Sequence, residues 1–435
     1  MFLITTLALA QVTTPTPASN SNRNPTDPGV RGGPPGAGKP FATGLSPGQM
    51  SYFLTQALPI FSEAETVPEG LGPRFNLDSC AGCHAFPAPG GSSPPNGNPQ
   101  YMHAAQMAPR SQIPSFIKLD GPVREVRMVK HADGSPDGGV ADIFTITGRS
   151  DAPHGCSIQQ PDFSNRSNMI FRVPTPVFGG GLIESITDST IRTNLTSSSN
   201  MKRAFGISGH VNTTGNDGTV TRFGWKAQNK SLLIFAAEAY NVEMGVTSEG
   251  FPNEREEDAA CATNGVAEDH TNFDTGAPSD LVAFTMFMRF LDQPAPACGA
   301  GGTACSASVN NGSNLFNSVG CALCHTPVLM TGASPVPALS HVKARLYSDL
   351  AVHNMGTGLA DNVTQGNAGP DEFRTAPLWG LGQRAYFLHD GRTMDLLQAI
   401  LAHSSSGSEA NRSINMFQSL SNSQQQDILN FLRSL

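Results

Sequence analysis

The chain has 435 residues, a formal charge of −8 and an isoelectric point near 5.7. Lys and Arg are scattered, with no basic run and no basic–aromatic interleaving, which removes the electrostatic footprint of a nucleic-acid partner. Charged residues make up only 14%, while 45 glycines and 33 prolines punctuate the sequence, so the composition points to a fold that is mainly α with long ordered loops and more than one core.

In chain order, MFLITTLALAQ carries a short apolar run ending in Ala8-Leu9-Ala10, and residues 1–10 read as a signal peptide, although the first basic residue is Arg23. No later apolar stretch is long enough to cross a bilayer as a helix, so no transmembrane segment is expected. Residues 11–45, rich in Pro, Thr, Asn and Gly, read as a disordered tether. Ser46-Pro47 then has the form of an N-cap followed by Pro at the first helical position. Behind it Met50, Phe53, Leu54, Ala57, Leu58 and Phe61 recur at helical spacing.

The next segment, CAGCHAFPAPGG (80–91), places Cys80, Cys83 and His84 in a C-x-x-C-H motif, and Cys321, Cys324 and His325 repeat it in CALCHTP (321–327). In c-type haem attachment each thiol adds to a vinyl group to form a thioether, and the adjacent His reaches the iron from one face. A zinc ribbon also uses C-x-x-C pairs, but with roughly 12–20 residues between them, far less than the separation here. Two covalently attached haem c groups are therefore expected. Since such attachment happens outside the cytoplasm, a periplasmic or otherwise exported protein is expected too.

Four cysteines remain. Cys298 and Cys305 close the short loop GAGGTA and are the first candidates for a disulfide; Cys156 with Cys261 follows by elimination, free buried thiols being the alternative. A helix is expected over 280–291, ending at QPAP, with a linker over 293–307. Leu315, Phe316 and Val319 mark a short helix before the second motif, and Gly320 lets the backbone turn. Near the C-terminus Ser421 and Gln424 form a capping box, followed by Ile428, Phe431, Leu432 and Leu435 on one face. Each motif is thus bracketed by helices. Two cytochrome c-like haem domains are expected, 46–292 with loop insertions and 308–435. An internal echo, FRVPTPVFGGGL (171–182) against FRTAPLWGLGQR (373–384), reads as duplication.

Four stretches, GPRFNLDSCAGCHAFPAPGGSSPPNGNPQ (72–100), RFGWKAQ (222–228), VEMGVTSEGFPNE (242–254) and FRTAPLWGLGQRAYFLHDGRTMDLLQAILAH (373–403), resemble the di-haem oxidoreductases labelled "thiol oxidoreductase". These are similar to bacterial di-haem cytochrome c peroxidases and to the methylamine-utilisation di-haem enzyme. The resemblance covers most of the chain after about residue 45. It implies a peroxide-type oxidant at the first haem, a second haem that stores or relays electrons, and a small redox protein as donor. It also implies a catalytic glutamate in a V-E-M run, here Glu243, with Glu184 in GGGLIES as the fallback. The sixth ligand of the second haem would be His403, at the place where the peroxidases carry Met, with Met394, Met355 and His389 as rivals. His103 would be the displaceable ligand of the first haem, ahead of His154. Trp225 or Trp379 would lie between the haems or pack in a core. A calcium ion between the domains belongs to the peroxidase pattern, although no ligand pattern for it is visible here. A non-catalytic electron carrier with both irons six-coordinate, and a di-haem oxygenase, are the alternative functions.

Overall fold

The computed structural model describes residues 23–107, 111–255, 258–262, 268–299 and 303–435. The expected signal peptide and the start of the expected tether lie outside them. The chain is 32% helical, less than a mainly α fold suggests. Glycine and proline divide it into short helices, long loops and small sheets. The described strands run two to four residues and form one three-stranded and three two-stranded antiparallel sheets. No described helix is long and apolar enough to cross a membrane.

Ser46 caps the helix Pro47–Tyr52 with a full capping box to Gln49. The helix runs on through a π-turn, Phe53–Ala57, into Leu58–Ser62. Pro59 has no N–H to give the carbonyl four residues back, which accounts for the local change of bonding pattern. Phe53, Ala57 and Phe61 are buried, and Phe61 stacks on Phe287 at 4.1 Å between ring centres. Phe287 belongs to the helix Asp280–Phe290, which also packs on the helix Leu232–Met244. Together these helices form the larger hydrophobic core, to which Leu329, Leu339, Leu346, Leu350 and Trp379 also contribute. The smaller core joins Phe316 and Val319 to Leu396, Phe417, Ile428 and Leu432. Its main contact is the helix Ala307–Ser318 against Asn422–Ser434, the latter starting at the Ser421–Gln424 capping box.

Disulfides join Cys156 to Cys261 and Cys298 to Cys305. Residues 23–45 differ from the expected tether. They have no regular structure but are pinned at several points. Phe41 N–H donates to Phe290 O at 3.0 Å, Arg31 N–H to Gly382 O at 2.6 Å, and Arg433 grips Asp27 through two bonds of 2.7 and 2.6 Å. A Pro/Gly-rich composition forbids helices and ladders, yet an extended chain can still be held by anchors.

Replacing Asp27 with Asn is expected to lower the unfolding free energy by about 2 kcal/mol, the loss of charged hydrogen bonds to a largely buried guanidinium, read by urea denaturation at pH 7. Burial alone would raise the Asp27 carboxyl, but the bonds from Arg433, Leu396 and Gly29 hold it below its usual 3.8. This stabilisation is therefore complete above that value and lost as pH falls through the lower native one. A variant as stable as the parent would show the anchor to be idle.

Candidate functional site

Cys80–Cys83 form one helical turn, with His84 N–H donating to Cys80 O at 3.0 Å, so both thiols and the imidazole reach one cavity. The Nδ1 of His84 lies 3.0 Å from Gly91 O. It must donate there, so in the neutral ring Nε2 is the unprotonated nitrogen. Burial pushes the imidazole below its ordinary pKa, and pushes the Cys80 and Cys83 thiols upward.

The second motif repeats the plan on a 3-10 turn, Cys321–Leu323, entered through Gly320 at φ +90°. A Cβ at Gly320 would lie 2.4 Å from the Phe205 ring, so glycine is required for both reasons. His325 Nδ1 lies 3.0 Å from Tyr347 O, and burial followed by the neighbouring His403 lowers its pKa to about 4. His403 follows the helix Leu396–Leu401 and lines the same cavity. Its Nδ1 is 2.8 Å from Ala399 O, so here too Nε2 is the unprotonated nitrogen of the neutral ring.

The two cavities enclose about 1170 and 1380 Å3 of empty space out to their mouths. Two thiols a turn apart with an oriented imidazole are the donors that c-type haem attachment uses, and the residues fit that group.

The polar wall of the first cavity contains Glu243, on the last turn of the helix Leu232–Met244. Gly245 at φ +71° ends that helix. Asn76 holds Glu243 from two sides: its backbone N–H donates to Glu243 O at 2.7 Å and its Nδ2–H to Oε2 at 2.9 Å. The Asn76 amide cannot be turned over, because its Oδ1 accepts from Ile143 N–H. Burial, then Glu125, pushes the Glu243 carboxyl well above the carboxylate range, against the opposing pull of Arg127 and Asn76.

The other expected site residues are distributed differently. Glu184 lines neither cavity; it accepts from Leu232 N–H at 2.9 Å and pairs with Arg289 at 2.7 Å, a helix-starting and bridging role. His103 is exposed beside Gln106 and lines neither cavity, because its helix, Pro99–Met107, turns it to solvent. His154 is exposed as well. Among the described residues that line the first cavity, His84 is the one histidine. In the second, Met355 and His389 are present, whereas Met394 is 45% exposed and outside it. His389 stacks on Phe373 at 4.4 Å.

Trp225 lines both cavities, and its Nε1–H donates to Val173 O at 3.0 Å. Trp379 packs in the larger core against Gly179. The echo segments also correspond in place: Arg172 ends a strand at the first cavity, as Arg374 does at the second. Sequence reasoning missed Asn76 and the cluster of His353, Asp349 and Glu409, of which His353 and Glu409 line the second cavity. There His353 contacts Asp349 at 3.0 Å and Glu409 at 2.8 Å, so both ring nitrogens are taken. No sequence spacing brings those three together. Elsewhere the carboxylates of Glu63, Glu65 and Asp280 converge within 4.8 Å, and burial raises Glu65 to about 8.

The family model "Di-haem oxidoreductase, putative peroxidase" matches residues 124–435, a span that begins after the first C-x-x-C-H motif. Among solved structures, the chain is similar to Kuenenia stuttgartiensis hydrazine synthase pressurised with xenon, at 15% identity and TM-score 0.24, over 65% of this chain and 97% of that one. It is similar to a MauG-like protein associated with microbial copper homeostasis, at 15% identity and TM-score 0.31, over 57% and 89%. It is also similar to the diheme peroxidase BthA of Burkholderia thailandensis E264, at 12% identity and TM-score 0.31, over 76% and 94%. At such scores none of these likenesses assigns an activity. No curated protein sequence matches the chain.

Proposed function

Because the chain belongs to the di-haem oxidoreductase family, we propose that it is an exported, peroxidase-like enzyme with two covalently attached haem c groups. In this reading a small redox protein would supply the electrons and peroxide would be the oxidant, met at the first cavity. The haem irons supply the one-electron chemistry.

The observation that carries the reading is the asymmetry of the two cavities. Four of the described histidines line the second: His353 is held by Asp349 and Glu409 and His389 stacks on Phe373, while His325 and His403 each have Nδ1 on a main-chain carbonyl. Among the described residues, the first is lined by one histidine, His84, and by three glutamates, of which Glu243 is the one held by Asn76. His84 would hold the iron of the first haem, and His325 and His403 would hold that of the second. Glu243 would hold and move the proton that peroxide cleavage requires. Asn76 donates to Oε2, so Oε1 is the oxygen that carries it. Trp225, in the wall common to both cavities, would carry electrons between them. The two disulfides support export, since such bonds persist in oxidising compartments.

After denaturation and acidic organic extraction, two haems per chain should stay with the protein, one for each C-x-x-C-H motif. Haem that moves into the organic phase would sink the covalent assignment. Entirely low-spin ferric spectra with no peroxide consumption would favour the non-catalytic electron carrier instead.

A further inference from the structure

In the second cavity two arginines carry charge that, among the described residues, no carboxylate beside them neutralises. Arg374 and Arg384 both line it. Arg374 Nη1–H donates to Arg222 O at 2.6 Å, and Arg384 Nη2–H reaches Pro377 O at 3.3 Å. In both, the Nε–H is buried and has no acceptor among the described residues. Two other buried arginines of the chain do have a carboxylate. Arg172 has Asp361 at 2.8 Å and Arg433 has Asp27 at 2.6 Å. Burial, followed by the next arginine in line, holds Arg374 and Arg384 down to about 10. Two unpaired charges and two idle donors in an apolar wall are costly unless anions complete the site.

We propose that Arg374 and Arg384 seat the two propionate carboxylates of the haem attached at Cys321 and Cys324, each Nε–H donating to one of them. The count of charges matches, and a carboxylate is the natural partner of a guanidinium. The proposal rests on the reading that a haem occupies this cavity. Its consequence is electrostatic: the pair favours the reduced iron, so removing one charge should lower the potential of the second haem.

The test is an optical redox titration of the full-length holoprotein, which needs no peroxide. At a fixed solution potential, Arg384→Gln should shift the second haem at least tenfold toward the oxidised form, 59 mV for one electron. The first haem should move less than twofold, and Arg384→Lys should restore most of the shift. A second-haem potential within twofold of the parent in Arg384→Gln, with the haem bound, would overturn the proposal; so would an equal movement of both haems. If Arg384→Gln does not retain its second haem, Arg374→Lys and Arg384→Lys, which keep the charge, are expected to retain it. Loss in those variants too would refute the charge argument. A parent protein with no second haem would instead be the failure of the functional reading itself.

Discussion

Replacing His403 with alanine should abolish the low-spin ferric signal of the second haem and leave the first haem's spectrum unchanged. The side chain is set up to be a ligand. Asp395 caps the preceding helix by accepting from Leu397 and Gln398 N–H, and the helix ends so that Ala399 O takes the His403 Nδ1–H at 2.8 Å. Such a bond fixes the tautomer and raises the basicity of Nε2. His325 is oriented in the same way by Tyr347 O. Burial keeps both imidazoles neutral, the form that binds metal. With alanine, the reduced second haem should also bind carbon monoxide. A low-spin signal that survives in His403→Ala would move the ligand to another lining residue, with Met355 the next candidate.

Glu243→Gln should lower peroxide turnover by about 10²–10³, within the usual range for a lost acid–base group. Both haem spectra should stay intact. Glutamine preserves the volume and can still accept the Asn76 Nδ2–H bond, so the helix end and the cavity wall are kept. What it removes is a carboxyl that burial and Glu125 keep protonated well above the ordinary range. The loss should therefore appear in kcat rather than in KM, read by steady-state peroxide consumption. Unchanged turnover would exclude Glu243 from the proton path.

The parts of the site legible in the sequence are those whose chemistry is local. Cys80, Cys83 and His84 need only five consecutive residues to declare their role, as do Cys321, Cys324 and His325. The capped helix starts at Ser46 and Ser421 were legible for the same reason, since a cap is a bond spanning three residues. The helix Leu232–Met244, which carries Glu243, was not legible from periodicity. It is apolar almost all round, with buried Leu232, Ala236, Ala237, Tyr240 and Met244, and so shows no single stripe. Strands of two to four residues are too short to show alternation.

By itself the sequence determines which cofactor chemistry the two motifs serve, which helices begin beside them and which residues were worth weighing as partners. Only the tertiary structure decides among those partners. It brings His403 into the cavity with His325, and turns His103 outward. Glu184 goes to a helix start and an arginine, and Trp225 to the wall shared by both cavities. The physical reason is distance along the chain. His325 and His403, like Asn76 and Glu243, come together only when separate helices and loops close over a common core, and no local spacing records that closure.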